Sequence, residues 1–277
     1  MIKKQKEKEA SGGLKDQRYW KPRNPEGNEK WNFKLRILPG KDDNQLPWVR
    51  TFKHNFLLPD GSYVNEDCPG TISVECPICS VSRKYFQTGD ASDEIVGRKL
   101  WRKARYVCNV LVIKDPQTPE NEGKVFLWEF GRKIYDKFDN ALFPEDEDES
   151  KVFMHPTQGY DFNFITRKVA EFPNYDDSYF SSKMSSLGKD DEIDEILDHV
   201  YDLSEFTNPS KFKSADELQK IVDRHEGNSV KSNKKKESKK QEETPEVSEE
   251  SSKEVEEKVD EDKFDLEQLE AELAAMN

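Results

Sequence analysis

Three of the chain's four cysteines and one of its four histidines fall within residues 54–80, "HNFLLPDGSYVNEDCPGTISVECPICS". Cys76 and Cys79 form a C-x2-C pair, a spacing that lets two thiolates reach one ion from a single tight turn. Cys68 stands eight residues upstream of Cys76 and His54 a further fourteen, giving H-x13-C-x7-C-x2-C. Three thiolates and an imidazole make a closed tetrahedral Zn2+ site, one ion per chain, with no position left for a catalytic water. The expected role is therefore structural, because binding free energies of about 10–16 kcal/mol decide whether a small subdomain folds. His155, in "MHPTQG", is the alternative imidazole, while His199 and His225 fall in predicted helices and read as surface residues. Cys108, inside "RYVCNVLVI", reads as a small buried hydrophobe. Incidental burial of three thiols is the competing reading.

A second pattern is more diffuse. Aromatic residues make up 11% of the chain, and many adjoin Lys or Arg, as in "SRKYF", "GRKLWRKARYV", "FLWEFGRKIYDKF" and "VAEFPNYDDSYF". Cations that track phosphates and ring faces that stack on unpaired bases are what a single-strand binder requires, each stacked base contributing about 1–3 kcal/mol. From Arg98 to Arg105 five cations (Arg98, Lys99, Arg102, Lys103, Arg105) surround Trp101, and Tyr106 follows. Large rings also dominate cores, and Phe33, Phe126 and Phe130 fit that role.

The elements that must position these residues follow from periodicity and punctuation. Trp31, Phe33, Leu35 and Ile37 alternate with polar neighbours, which predicts a strand. "LPWVRTFKHNFLL" and "SYVNEDC" predict two more, joined by a "PDGS" turn. "CPICSVSRKYFQ" opens a helix, "ARYVCNVLVIKDP" is a buried strand, and "DPQTPENEGKV" is a loop. "KVFLWEF" reads as a strand, "GRKIYDKFDNAL" as a helix, "FPEDEDES" as an acidic loop and "YDFNFITRKVA" as a late strand. "DDEIDEILDHVYDLSEF" predicts one amphipathic helix, and "SADELQKIVDRH" another, started by Ser214 with Glu217 three residues on. There is no internal repeat.

Net charge is −13, but 15 of the acidic residues lie in 241–277, directly after the basic run "KSNKKKESKK". The body is only mildly acidic and is judged by its local patches. Beyond residue 228 the composition buries too little apolar surface to fold alone. Phe264, Leu266, Leu269, Leu273 and Met276 nevertheless place an apolar helical stripe among carboxylates, suited to docking on partner proteins. A flexible acidic polymer of this kind competes with phosphates for a basic surface. No run of about 18 apolar residues predicts a membrane span, and no apolar segment follows the N-terminal lysines as a secretory leader would require. Clustered thiols then imply a reducing cytoplasm.

Several stretches resemble the single-stranded DNA-binding (helix-destabilising) proteins of T-even-type bacteriophages: "KDPQTPENEGKVFLWEFGRKIYDK", "LRILPGKDD", the His/Cys cluster, "EFPNYDDSYF" and "VYDLSEFTNPSKFKSADEL". The resemblance runs from about residue 30 to 225. It implies an α+β protein with an OB-fold β-barrel core, a zinc subdomain (about 50–105) and added helices. Residues 19–228 would form the DNA-binding core. A disordered basic arm (1–18) and a Lys-rich linker with an acidic tail (229–277) would flank it. Such proteins coat single-stranded DNA cooperatively in phage replication, recombination and repair, within the cytoplasm of the infected bacterium, and bind it in a cleft between zinc subdomain and OB-fold. The resemblance carries DNA contact to Tyr106, Trp128, Tyr135, Phe172 and Tyr175. Local context adds Tyr85, Trp101, Arg102, Lys103, Arg105, Lys124, Arg132 and Lys133. Lys3 and Lys4 would carry cooperativity with neighbouring copies, although Glu7 and Glu9 intrude on the arm and "WRKAR" lacks the hydroxyls of the family's internal patch. Polymerase, helicase loader and recombinase mediator are the partners implied for the tail. A zinc-bearing protein-interaction module and a metal-dependent nuclease are the alternatives. The first would leave oligonucleotides unbound, and the second needs an open metal position or a carboxylate set.

Overall fold

The computed structural model describes residues 16–27, 29–41, 46–145, 150–170 and 172–237. Lys3, Lys4 and the tail residues Phe264, Leu266, Leu269, Leu273 and Met276 lie outside them. The chain divides into two units, one from residues 1–49 and 106–205, the other from 50–105 and 206–277.

The first unit holds a curled antiparallel half-barrel sheet. Strand β1 (Lys30–Ile37) lies between β4 (Lys103–Lys114, in this unit from Tyr106 on) and β6 (Gly159–Val169), pairing Phe33 with Phe164 and Leu35 with Phe162 on one side. Strand β5 (Val125–Phe130) adds to β4, and β7 (Phe172–Asn174) and β8 (Tyr179–Ser185) add to β6. The β1 alternation holds: Phe33, Leu35 and Ile37 are fully enclosed. Arg36 is enclosed as well, on the other face. Its guanidinium is satisfied by Asp161 Oδ1 (2.9 and 2.6 Å), the Ser185 carbonyl (3.1 Å) and the Ser185 hydroxyl. A buried charge is tolerable only with such a complete set of partners. Gly159 is confined by the same cluster, since a Cβ there would lie 2.4 Å from the His155 carbonyl and 2.7 Å from Arg36 Nη1.

Rings fill this unit. Phe138, on helix α3 (Arg132–Leu142), has ring centroids of Trp128, Phe130, Phe153, Phe162 and Phe180 within 5.0–6.3 Å. The tilted and edge-on angles are the arrangements that ring quadrupoles favour. Residues 18–20 pair along β5, with Trp20 N–H donating to the Leu127 carbonyl and Leu127 N–H to that of Arg18 (2.8 Å each). Trp20 buries its indole, and Nε1 donates to Asp115 Oδ2 at 2.8 Å. The helix predicted across 190–206 is cut short. Helix α4 (Asp190–Asp198) ends at Asp198, and a 3-10 turn resumes at Leu203. Buried Asn109 captures the Tyr201 backbone in between, donating to its carbonyl and accepting from its N–H at 2.9 Å each. A side chain from β4 has outcompeted the helix for those groups.

The second unit is built on the hairpin of β2 (Trp48–Leu57, in this unit from Arg50 on) and β3 (Tyr63–Asp67). Gly61, with φ +83°, makes the predicted turn. Helices α1 (Pro77–Gln87), α2 (Ala91–Leu100) and α5 (Ala215–Glu237) complete it. Its apolar cluster joins Phe52, Phe56, Val64, Ile78, Val81, Leu100 and Trp101 to Leu218, Ile221 and Val222 of α5. The predicted start of α5 is present: the Glu217 carboxylate accepts from the Ser214 N–H (2.9 Å) and hydroxyl (2.8 Å). The helix continues past the boundary drawn at residue 228, to Glu237, through a Lys-rich stretch.

Candidate metal centre and cation–aromatic surfaces

His54 comes from β2, and Cys68 follows β3 at the head of a 3-10 turn (Pro69–Ile72). Cys76 caps α1 and Cys79 lies in its first turn. All four are buried, and their ligand atoms lie within 4.8 Å of one another. Cys76 Sγ is 3.3 Å and Cys79 Sγ 3.6 Å from His54 Nε2, with Cys68 Sγ 3.6 Å from Cys79 Sγ. A tetrahedral ion with metal–sulfur bonds of about 2.3 Å would set such edges at roughly 3.5–3.8 Å, so the four residues fit one. His54 Nδ1 lies 2.8 Å from the Leu100 carbonyl. That contact fixes the tautomer with Nδ1 protonated and the Nε2 lone pair turned to the thiols. The Gly70 N–H donates to Cys68 Sγ at 3.4 Å. His155 is excluded from the set: it is exposed, and its ring accepts from the N–H groups of Thr157 and Gln158.

Electrostatics couple the four groups of the cluster. Burial disfavours an imidazolium at His54, but hydrogen bonds to Cys68 and Cys76 outweigh it and raise the pKa to about 9. Hydrogen bonds from Cys68 and Cys79 push the Cys76 thiol down, while Cys68 and Cys76 push Cys79 up. Groups this close share protons, and a cation would displace them.

The aromatic candidates separate by burial. In the first unit, Tyr106 is enclosed and stacks on Tyr135 (4.2 Å, 14°), which is half-buried. Arg132 sits 5.2 Å from the Tyr135 ring centre and donates to Asp136 at 2.6 Å. Burial keeps the Tyr135 phenol protonated above its ordinary range, with Asp139 adding to the effect. Lys124 and Lys133 are exposed, and Phe172 and Tyr175 half-buried, Tyr175 stacking on Phe164 at 5.2 Å. Trp128 departs from the expectation of a DNA-facing ring. It is enclosed by Trp20, Phe130, Phe162 and Phe164, because β5 is buried on both faces. In the second unit, Trp101 is likewise enclosed, with Arg102 and Arg83 at 5.5 and 5.9 Å from its ring. Tyr85 is half-buried and edge-on to His225, and Lys103 and Arg105 are half-buried. The structure thus gathers Tyr106, Arg132 and Tyr135 in one place, and Trp101 with Arg102 in another. Sequence reasoning missed the Leu100 carbonyl, a backbone group with no signature. It also missed Arg50 beside Phe52, whose R-x-F spacing on one strand face was a readable signal.

The chain is a mixed α/β protein with a buried Cys3His group that could hold a metal ion, and it belongs to the gp32 DNA binding protein-like family, whose model matches residues 32–226. It is 35% identical over 205 residues to the single-stranded DNA-binding protein of Enterobacteria phage T4, covering 71% of this chain and 66% of that protein. The namesake from Enterobacteria phage T2 is 36% identical over 193 residues, 66% of this chain and 62% of the relative. The chain thus spans slightly less than two thirds of the length of either relative.

Proposed function

We propose that this protein binds single-stranded DNA without catalysis and with little regard to sequence, through cations and half-buried rings, on an OB-fold scaffold stabilised by one structural Zn2+. The match of residues 32–226 to a DNA-binding family, two of whose relatives are named for single-stranded DNA, carries the reading. Tyr135, Phe172 and Tyr175 are the rings assigned to bases, and Arg132, Lys133, Lys124, Lys103, Arg105 and Arg102 the cations assigned to phosphates. In the first unit enclosed Tyr106 backs Tyr135, with Trp128 in the core, and in the second enclosed Trp101 backs Arg102. His54, Cys68, Cys76 and Cys79 would hold the ion. When bound it supplies a cross-link between hairpin and helix, and four protein ligands leave no position for a hydrolytic water.

Phage DNA replication, recombination and repair in the infected bacterium are the setting this reading implies. Lys3 and Lys4 would support cooperative contact with the neighbouring copy, and the apolar stripe from Phe264 to Met276 would engage replication and recombination proteins. The acidic segment 241–277 would compete with DNA for the cations. Its deletion should tighten binding at low salt, and unchanged affinity there would remove the competition. Among the described residues no helix is long and apolar enough to cross a membrane.

Titrating oligo-dT into the metal-loaded protein at low ionic strength should quench tryptophan fluorescence. The affinity should fall with salt at a log–log slope of about −0.7 per neutralised phosphate. No quenching and no retention of the oligonucleotide would overturn the proposal. Cleavage of labelled DNA in Mg2+ would return the nuclease alternative.

A further inference from the structure

Three guanidinium groups and two aromatic rings of the second unit form a continuous series. Arg50 stands 5.2 Å from the Phe52 ring centre, Arg102 4.1 Å from the same ring, Arg102 again 5.5 Å from Trp101, and Arg83 5.9 Å from Trp101. The order is Arg50, Phe52, Arg102, Trp101, Arg83. Both rings are 8% exposed, so the arginines cover their faces and no base can stack there. The arginines as residues remain in part accessible: Arg50 is exposed, and Arg83 and Arg102 are half-exposed. Among the described residues no carboxylate pairs with Arg50 or Arg83.

Arg50 and Arg83, with no such carboxylate, add like charge beside Arg102, which is unfavourable unless something offsets it. The ring faces do so only in part, at about 0.5–1 kcal/mol for an exposed cation–π pair. An anionic ligand would complete the offset. A guanidinium over a ring can still present N–H donors to phosphate oxygens. Arg102 is fixed further by Gly70. A Cβ at that position would lie 2.2 Å from Arg102 Nη1 and 3.3 Å from Cys68 Sγ, so a larger residue would shift the guanidinium from its place.

We propose that Arg50, Arg102 and Arg83, laid on Phe52 and Trp101, form a phosphodiester-reading ladder on the metal unit, with Gly70 as the positioning residue that admits Arg102. The ladder rests on the single-stranded DNA reading and makes it more specific: this surface contacts backbone alone, whatever bases the strand carries.

The test compares full-length wild type with Arg50→Gln/Arg83→Gln, in metal-loaded form, on oligo-dT and on an abasic deoxyribose-phosphate strand of equal length. Metal content and circular dichroism check that the variant folds. Loss of two phosphate contacts should reduce the salt slope by roughly 1.4, by the same amount on both strands. Arg50→Lys/Arg83→Lys, which keeps charge but not the planar fork, should recover only part of the affinity. Gly70→Ala, with metal retained, should weaken both strands alike. An unchanged slope in the Gln variant, or a loss confined to the base-bearing strand, would overturn the ladder while leaving DNA binding intact. Wild type that ignores oligo-dT would overturn the function and the ladder together.

Discussion

The two units reach stability by different means. In the first, a curled sheet closes over packed phenylalanines and tryptophans, and a buried charge, Arg36, has a full set of partners. In the second, a short hairpin and three helices share a smaller apolar cluster that includes the side chains of Cys68, Cys76 and Cys79. Small units rarely bury enough apolar surface to fold unaided, and a metal is one common supplement. The contrast teaches that the ligand set is part of the second core, whereas the first unit needs nothing beyond its own rings.

The largest effect should come from Cys79→Ser. Elemental analysis should find the metal lost, with most of about 10–16 kcal/mol of coordination energy and the second unit's helical signal going with it. Full occupancy in the variant would end the assignment. Phe138→Ala should cost the first unit about 3–5 kcal/mol in denaturant unfolding and leave metal content unchanged; metal loss there would break the separation. Trp20→Phe leaves buried Asp115 Oδ2 without its indole donor, although Asn121 still donates to it at 3.0 Å. The cost should be about 1–3 kcal/mol, again confined to the first unit.

The smallest effect concerns the start of α5. The Ser214 N–H and hydroxyl hold the Glu217 carboxyl below its usual pKa. A depressed folded pKa gives stability that is present above the unfolded value and lost as pH falls through the folded one. Protection factors in the first turn of α5, corrected for the intrinsic pH dependence of amide exchange, should therefore fall in acid for wild type. Glu217→Gln should show that reduced protection already at neutral pH. Identical profiles would mean the cap contributes nothing.

Much of this was legible in advance. Alternation found β1, turn residues found the β2–β3 hairpin, and Ser214 with Glu217 found the start of α5. Thiol spacing found the buried cluster that could hold a metal ion. What escaped depended on partners distant in sequence. Helix α2 was overlooked although Asp90 caps it, accepting from the Ser92 N–H at 2.8 Å; its apolar positions are few and Gly97 interrupts them. Strands β7 and β8 are short or largely exposed and show no alternation. Trp128 is the instructive aromatic. Composition marks it as a ring near cations, but its face is decided by Trp20 and the paired segment before it, which no local pattern reveals.

The central claim is that a bound ion holds the second unit together and leaves the first indifferent. Amide hydrogen exchange on the full chain, metal-loaded and then chelated, tests it most directly. Chelation should strip protection from β2 from Arg50 on, β3, α1 and α2 while β1, β5, β6 and α3 stay as they were. Unchanged protection around His54, Cys68, Cys76 and Cys79 after verified metal removal, or equal loss in both units, would contradict the account.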